Sequence, residues 1–171
     1  MTLALLLDRW RLCALVVSAA MLAIAIGFFQ HAEGLAPCHL CLLQRKAYWA
    51  AGAIALVGMI AVRIWGSPRL RALTDFLLSL TFLTGCGIAV FHAGAEWKFW
   101  PAPESCSSAG VTSVSAADLQ ALMAGAKVKP PACDQAPWIF LGLSMAGWNA
   151  LISLGLAALS AAAGLRELRK A

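Results

Sequence analysis

Pro37-Cys38-His39-Leu40-Cys41-Leu42-Leu43-Gln44-Arg45 is the stretch from which the rest of the chain is read. Two cysteines stand three apart, just after a proline and just ahead of a long apolar run. The pattern predicts a helix opening at Pro37, because the N–H that proline lacks would have no partner in a first turn. Both sulfurs then lie in that turn, facing unpaired backbone N–H groups and the positive end of the helix dipole. These favour thiolate over thiol, the dipole by roughly 0.3–1 kcal/mol at exposed sites and up to about 2 kcal/mol in partly buried ones. Arg45 follows Cys41 by four residues, one turn along the same face. Its fixed charge lowers the thiol pKa further, and its guanidinium is placed to hold an oxygen of an electron acceptor. The stretch reads as a redox dithiol at the mouth of a membrane helix.

Composition agrees with a membrane setting. The 171 residues are 61% hydrophobic and 12% charged, against about 45–50% and about 25% in soluble domains. One all-α membrane domain, a four-transmembrane-helix bundle spanning residues 1–171, is the expectation. The net charge of +5 is not gathered into a basic block interleaved with aromatics, so no nucleic-acid partner is expected and the basic residues read as topology signals.

Outward from the dithiol, four apolar runs are long enough to cross a bilayer: about 12–29, 43–65, 73–93 and 138–163. A cleaved signal peptide is the rival reading of the first, but that run exceeds the usual apolar core of about 7–15 residues. Small residues from Ala47 to Ala55 suit close helix packing. Asp75 is expected at the headgroups or against Arg71. Between the third and fourth runs lies a loop of about 94–137, in which Ser115 to Met123 reads as a short capped amphipathic helix.

Arg9, Arg11, Arg63, Arg69, Arg71, Arg166, Arg169 and Lys170 fall on one side of the membrane. Arg45, Lys46, Lys98, Lys127 and Lys129 fall on the other. The richer side, with its charges close to the spans, is expected to be cytoplasmic. Both termini are then inside, and Cys38, Cys41, Cys106 and Cys133 are outside, where disulfides persist. Cys13 and Cys86 fall within apolar runs and read as small buried hydrophobes.

Cys38-His39-Leu40-Cys41 has neither the spacing nor the second Cys/His cluster of a structural zinc site, so no metal is expected and a redox-active dithiol is. Cys106 and Cys133 admit two readings. They form either a staple across the long loop, or a labile disulfide open to a soluble thiol, as flanking Ser107, Ser108, Asp134 and the prolines suggest. Two pairs on one side of the membrane point to a relay, with a lipid-soluble quinone as acceptor beside Cys41 and Arg45. His92 and Glu96, four apart at the outer end of the third run, are candidates to approach the same acceptor. Interfacial solvation is the alternative for both. His31 and His39 read as solvated.

Cys38-x-x-Cys41-x-x-x-Arg45, the later pair Cys106 and Cys133, and the tract Trp138-Ile139-Phe140-Leu141-Gly142-Leu143-Ser144-Met145 together resemble the disulfide bond formation protein B (DsbB) family of bacterial inner-membrane thiol oxidases. The resemblance covers nearly the whole chain. It implies a four-helix bundle, bound ubiquinone or menaquinone, and a periplasmic thioredoxin-like oxidant (DsbA-type) as partner. It implies that Cys106 and Cys133 exchange with that partner. Cys38 and Cys41 would reoxidise the loop pair, with Cys41 next to the quinone and Arg45 supporting that contact. Glu96 departs from the family, which often has glutamine there. The competing functional readings are a quinone-linked reductase of the vitamin K epoxide reductase type, and a scaffold whose disulfides only brace the loop.

Overall fold

The computed structural model of the chain describes residues 3–33, 35, 37–103, 106, 120 and 133–170. Of the amphipathic helix expected from Ser115 to Met123, all but Gln120 lies outside the described residues. A short helix α1 (Leu3–Asp8) leads into α2 (Trp10–Ala23), which continues from Ile24 to Ala32 in the wider i→i+5 hydrogen-bonding pattern. Then come α3 (His39–Trp65), α4 (Pro68–Glu96), the two-residue strands β1 (Ile139–Phe140) and β2 (Leu143–Ser144), and α5 (Met145–Leu168). Four helices are long and apolar enough to cross a membrane, with α2 counted through Ala32. The protein is a multi-pass, four-helix membrane protein.

Helix ends follow local chemistry. Gly66, left-handed at φ 63°, closes α3 by donating its N–H to Val62, as a C′ glycine does. Pro68 opens α4. The fourth span departs from expectation, because α5 begins only at Met145. Trp138 to Ser144 instead form an antiparallel hairpin pairing Ile139 with Ser144 and Phe140 with Leu143. Its two turn residues, Leu141 and Gly142, both have positive φ, the geometry that matches strand twist in a two-residue hairpin. Ser144 then caps α5, its hydroxyl accepting the Gly147 N–H at 3.1 Å. Hydropathy alone does not distinguish this apolar hairpin from a helical turn. Exposed Ile139, Phe140 and Leu141 suit a hairpin resting in the bilayer interface.

Between helices in lipid, packing and hydrogen bonds replace the aqueous hydrophobic effect. The most extensive interface is α4 against α5. The buried face of α5 carries Ala146, Ala150, Ser153, Ala157, Ser160 and Gly164, mostly small residues that let backbones approach. Trp10 donates its indole N–H to Ser160 at 2.9 Å, and Ser79 donates to the Ala157 carbonyl at 2.9 Å.

Asp75 lies elsewhere than expected. Its side chain is fully buried and accepts two hydrogen bonds from Arg11 on α2, at 2.9 and 3.0 Å. Arg71, one turn back, instead lies 3.8 Å from Glu167. Bundle closure brings Arg11 across to a carboxylate that could not stay buried unpaired. Asp75→Ala is expected to lower stability by about 3–5 kcal/mol through the stranded Arg11 charge. The Arg11→Met/Asp75→Ala double variant should recover much of that loss in detergent melting curves. Equal losses in both would show that the pair is not coupled.

Candidate redox centre

Cys38 sits just outside α3, at the N-cap position with φ −75° and ψ 172°. Its Sγ accepts the Cys41 N–H at 3.3 Å. The helix therefore opens at His39, and Pro37 stands before the cap rather than in the first turn. The sulfur serves as a capping acceptor, the role usually played by a serine or aspartate oxygen. The Cys41 Sγ lies 2.8 Å from the Cys38 Sγ, and both thiols are free. Cys38 is buried and Cys41 is half-buried.

His92 and Glu96 on α4 complete the surroundings. Both side chains are almost fully buried, at 5% and 1% exposure, so the solvated alternative does not hold. His92 Nε2 lies 3.7 Å from Cys38 Sγ and 3.6 Å from a Glu96 oxygen. The other Glu96 oxygen has no hydrogen-bond partner among the described residues. The hydrogen bond from Cys41, followed by those from His92, holds Cys38 down at about 4 against the opposing cost of burial. Cys38 is thus the thiolate of the pair at neutral pH.

Four residues that the sequence reading did not single out set the orientation of His92. Asn149 on α5 donates from Nδ2 to Gln44 Oε1 at 2.5 Å. With Gln44 Oε1 so occupied, its Nε2 is the group 2.8 Å from His92 Nδ1, and it donates there. Nδ1 is then the acceptor nitrogen, and Nε2 carries the hydrogen that faces Cys38. Tyr48 anchors the far end of the chain, donating to Asn149 Oδ1 at 2.5 Å and lying 3.0 Å from Ser153 Oγ. Negative charge on Cys38 favours this polarity over its reverse, since a thiolate needs a donor. The available signal was helical spacing: Cys41, Gln44 and Tyr48 share one face of α3 at i, i+3 and i+7. Polar residues inside apolar spans are costly and mark function by default.

Arg45 stands one turn beyond Cys41 on α3, and its side chain has partners that the spacing did not reveal. It reaches across to the loosened end of the first span, donating to Gln30 Oε1 at 2.7 Å and to the Ala25 carbonyl at 2.9 Å. Those two bonds pin the end of the first span beside the dithiol helix. Exposed His31 and His39 take no part.

The second pair is joined as a Cys106–Cys133 disulfide, 27 residues apart in sequence. Both residues are 1% exposed and form one buried cluster with Cys38 and Leu40, flanked by Cys41, Leu43, Ile88 and Ala102. The flanking serines and prolines had suggested an exposed disulfide. The fold instead buries it against the dithiol. Two contacts hold the segment down. Trp100 lies directly over Gly94, where any Cβ would collide with its ring, and donates to the Phe91 carbonyl at 2.8 Å. Lys98 donates to the Asp134 carboxylate at 2.6 Å and to its backbone carbonyl at 2.7 Å.

Cys38 Sγ, Cys41 Sγ and a His92 nitrogen lie within 4.8 Å of one another, so these donors invite a test as metal ligands. Two thiolates on tetrahedral zinc at about 2.3 Å would stand about 3.8 Å apart. The 2.8 Å found here suits sulfurs that form and break a bond with each other. Four cysteines and a fixed donor in one buried cluster make a centre for thiol–disulfide exchange.

Comparison with known proteins agrees. The family profile described as disulfide bond formation protein DsbB matches residues 8–163. Among curated relatives named disulfide bond formation protein B, that of Azoarcus sp. (strain BH72) is 32% identical, covering 84% of this chain and 82% of its own. That of Nitrosococcus oceani is also 32% identical, covering 87% and 83%. That of Pasteurella multocida is 30% identical, covering 81% and 75%. No solved structure gives a significant match. With its paired cysteines gathered at one end of four spans, the chain belongs to the DsbB family of disulfide bond formation proteins, oxidoreductases of thiols.

Proposed function

We propose that this protein oxidises the dithiol of a periplasmic thioredoxin-like protein of the DsbA type and passes the electron pair to a membrane quinone. The setting is the bacterial inner membrane, with both termini cytoplasmic and both cysteine pairs periplasmic. The observation that carries this reading is the burial of the Cys106–Cys133 disulfide in one cluster with Cys38.

The exchange balances as follows. A partner thiolate attacks one sulfur of Cys106–Cys133; that bond breaks, the other sulfur leaves as thiolate, and a mixed disulfide forms. The partner's second thiolate attacks it, and the partner departs oxidised, leaving Cys106 and Cys133 reduced. A loop thiolate then attacks a Cys38–Cys41 disulfide and, in two such steps, the loop bond is restored and the pair on α3 is reduced. Because the loop sulfurs are 1% exposed, the partner must lift them off Leu40 and Cys38 to react.

The site's donor set fits a quinone. Cys41 is half-buried, and Arg45 uses two N–H groups on Gln30 and Ala25 out of the five a guanidinium carries. Cys41 would face the ring and Arg45 would hold a ring oxygen. His92 lies deeper, against Cys38, with Glu96 behind it at 3.6 Å. When bound, ubiquinone or menaquinone supplies a two-electron sink. The chain's own contribution is to keep Cys38 as thiolate through the Cys41 and His92 hydrogen bonds, and to supply fixed positive charge at Arg45 where negative charge develops.

The test mixes purified protein, reduced partner and quinone. Partner oxidation that requires quinone is expected. A partner lacking its resolving cysteine should accumulate as a mixed disulfide with Cys106 or Cys133, identifiable by peptide mass. No quinone-dependent oxidation from protein carrying both disulfides would overturn the proposal.

A further inference from the structure

At the end of the bundle away from the cysteines, a cavity of about 570 Å³ opens between the start of α2, the end of α3 and the first turn of α4. Its nine lining residues include Asp8, Arg9, Arg11, Leu12, Arg63 and Arg71. Its size falls in the roughly 300–1,000 Å³ range of ligand sites. Four of the nine lining residues are arginines, and their charges are unevenly met. Arg11 is neutralised by buried Asp75. The lone acid of the lining, Asp8, is already engaged by Arg166 at 3.2 Å and Lys170 at 3.1 Å. Arg71 approaches Glu167 only to 3.8 Å, and its buried Nε has no hydrogen-bond partner among the described residues. The surplus positive charge of Arg9, Arg63 and Arg71 faces the cavity.

The remaining wall is apolar and continues toward the hydrocarbon. Leu12 is half exposed, and beyond it Val16 on α2 and Leu56 and Ile60 on α3 present bare aliphatic surface. A ligand suited to this site carries an anionic oxygen cluster at one end and hydrocarbon at the other. Basic pockets between spans at a membrane surface bind anionic lipid headgroups in this way.

We propose that the arginine-lined cavity between α2, α3 and α4 binds the phosphate of an anionic glycerophospholipid, with an acyl chain lying along the Leu12–Val16 and Leu56–Ile60 surface. Arg63 and Arg9 grip the headgroup from opposite sides, and Arg71 supplies the deeper contact. Lipid held there bridges the first span to the turn joining the second and third, at the end of the bundle that carries no redox chemistry.

The test uses the full-length protein in neutral detergent, with phosphatidylglycerol, phosphatidylcholine and inorganic phosphate as separate probes. Native mass spectrometry should show phosphatidylglycerol retained about tenfold more than phosphatidylcholine at equal concentration. The Arg9→Gln/Arg63→Gln variant should lose most of that preference. Both side chains are exposed, so the variant should keep wild-type helix content and wild-type thiol oxidation. Arg9→Lys/Arg63→Lys should retain part of the preference, since charge remains while bidentate geometry is lost. Equal retention of the two lipids, or a preference unchanged in the double glutamine variant, would overturn the proposal. So would a melting-temperature rise with inorganic phosphate as large as that with phosphatidylglycerol, which would mark a site for free anions instead.

Discussion

Cys38→Ala is expected to lower quinone-coupled oxidation of a dithiol partner by at least about 10³-fold, the scale on which loss of a nucleophile acts. The reason is specific to this sulfur. The hydrogen bond from the Cys41 thiol, then the His92 ring, and last the cap on α3 bring its pKa to about 4 against the cost of burial, compared with roughly 8.5 for an ordinary cysteine. Its folded pKa is depressed, so the thiolate persists at every pH above that value and is lost only as pH falls through about 4. In the reduced protein, alkylation of Cys38 by iodoacetamide should keep its rate from pH 8 down to about 5, then fall with a midpoint near 4. A midpoint in the ordinary thiol range would show that the cap and its neighbours do not act on the sulfur. The Cys41→Ala variant removes the first of those hydrogen bonds and should shift the midpoint upward, while also stopping turnover. A scaffold with bracing disulfides would keep its function in both variants.

The second large effect is expected on α4 and its support. His92→Phe removes the Nε2 donor that faces Cys38 at 3.7 Å. A hydrogen bond to a charged group is worth about 1.5–3 kcal/mol, and one pKa unit is about 1.36 kcal/mol. At this long separation the lower end applies, so the Cys38 midpoint should rise by about one unit. Gln44→Glu tests the chain behind the imidazole. A carboxylate only accepts, so both His92 Nδ1 and Asn149 must donate to it, and the hydrogen on the imidazole moves toward Gln44's position. Because the protein has three histidines, nitrogen-15 spectra of labelled histidine can assign His92 by its absence in His92→Phe. Wild type should show Nε2 protonated and Nδ1 bare, and Gln44→Glu should show Nδ1 protonated. An unchanged tautomer in Gln44→Glu would mean that the glutamine amide does not orient the ring. Gln44→Leu, which also leaves His92 Nδ1 and Asn149 unpaired in a buried site, should cost stability without protonating Nδ1.

These variants also separate what sequence pattern can carry from what packing adds. Four spans were legible because apolar runs of that length have no other stable home. The ends were less so. Trp138 to Ser144 are as apolar as a helical turn, and only the positive φ of Leu141 and Gly142 turns them into a hairpin. The cysteine spacing announced a dithiol, and the topology count raised the expectation that both pairs would meet at one end of the bundle, where the fold gathers them in one cluster. Which sulfur carries the charge was not readable. It depends on Cys38 standing one residue outside the helix and on a histidine from α4, 54 positions along the chain. Arg45 was visible as a functional candidate by its spacing. Its bonds to Gln30 and Ala25 come from the way the first span packs against α3.

By itself the sequence determined that this is a four-span membrane protein with two cysteine pairs on one face, since hydropathy, charge asymmetry and residue spacing are properties of local chain. Tertiary structure alone decided that the Cys106–Cys133 disulfide is buried on Cys38, that Gln44, Asn149 and Tyr48 aim His92, and that Asp75 answers Arg11. Each of these joins groups far apart in the chain. In a medium without water such groups find partners only in one another, and the helix packing selects which ones meet.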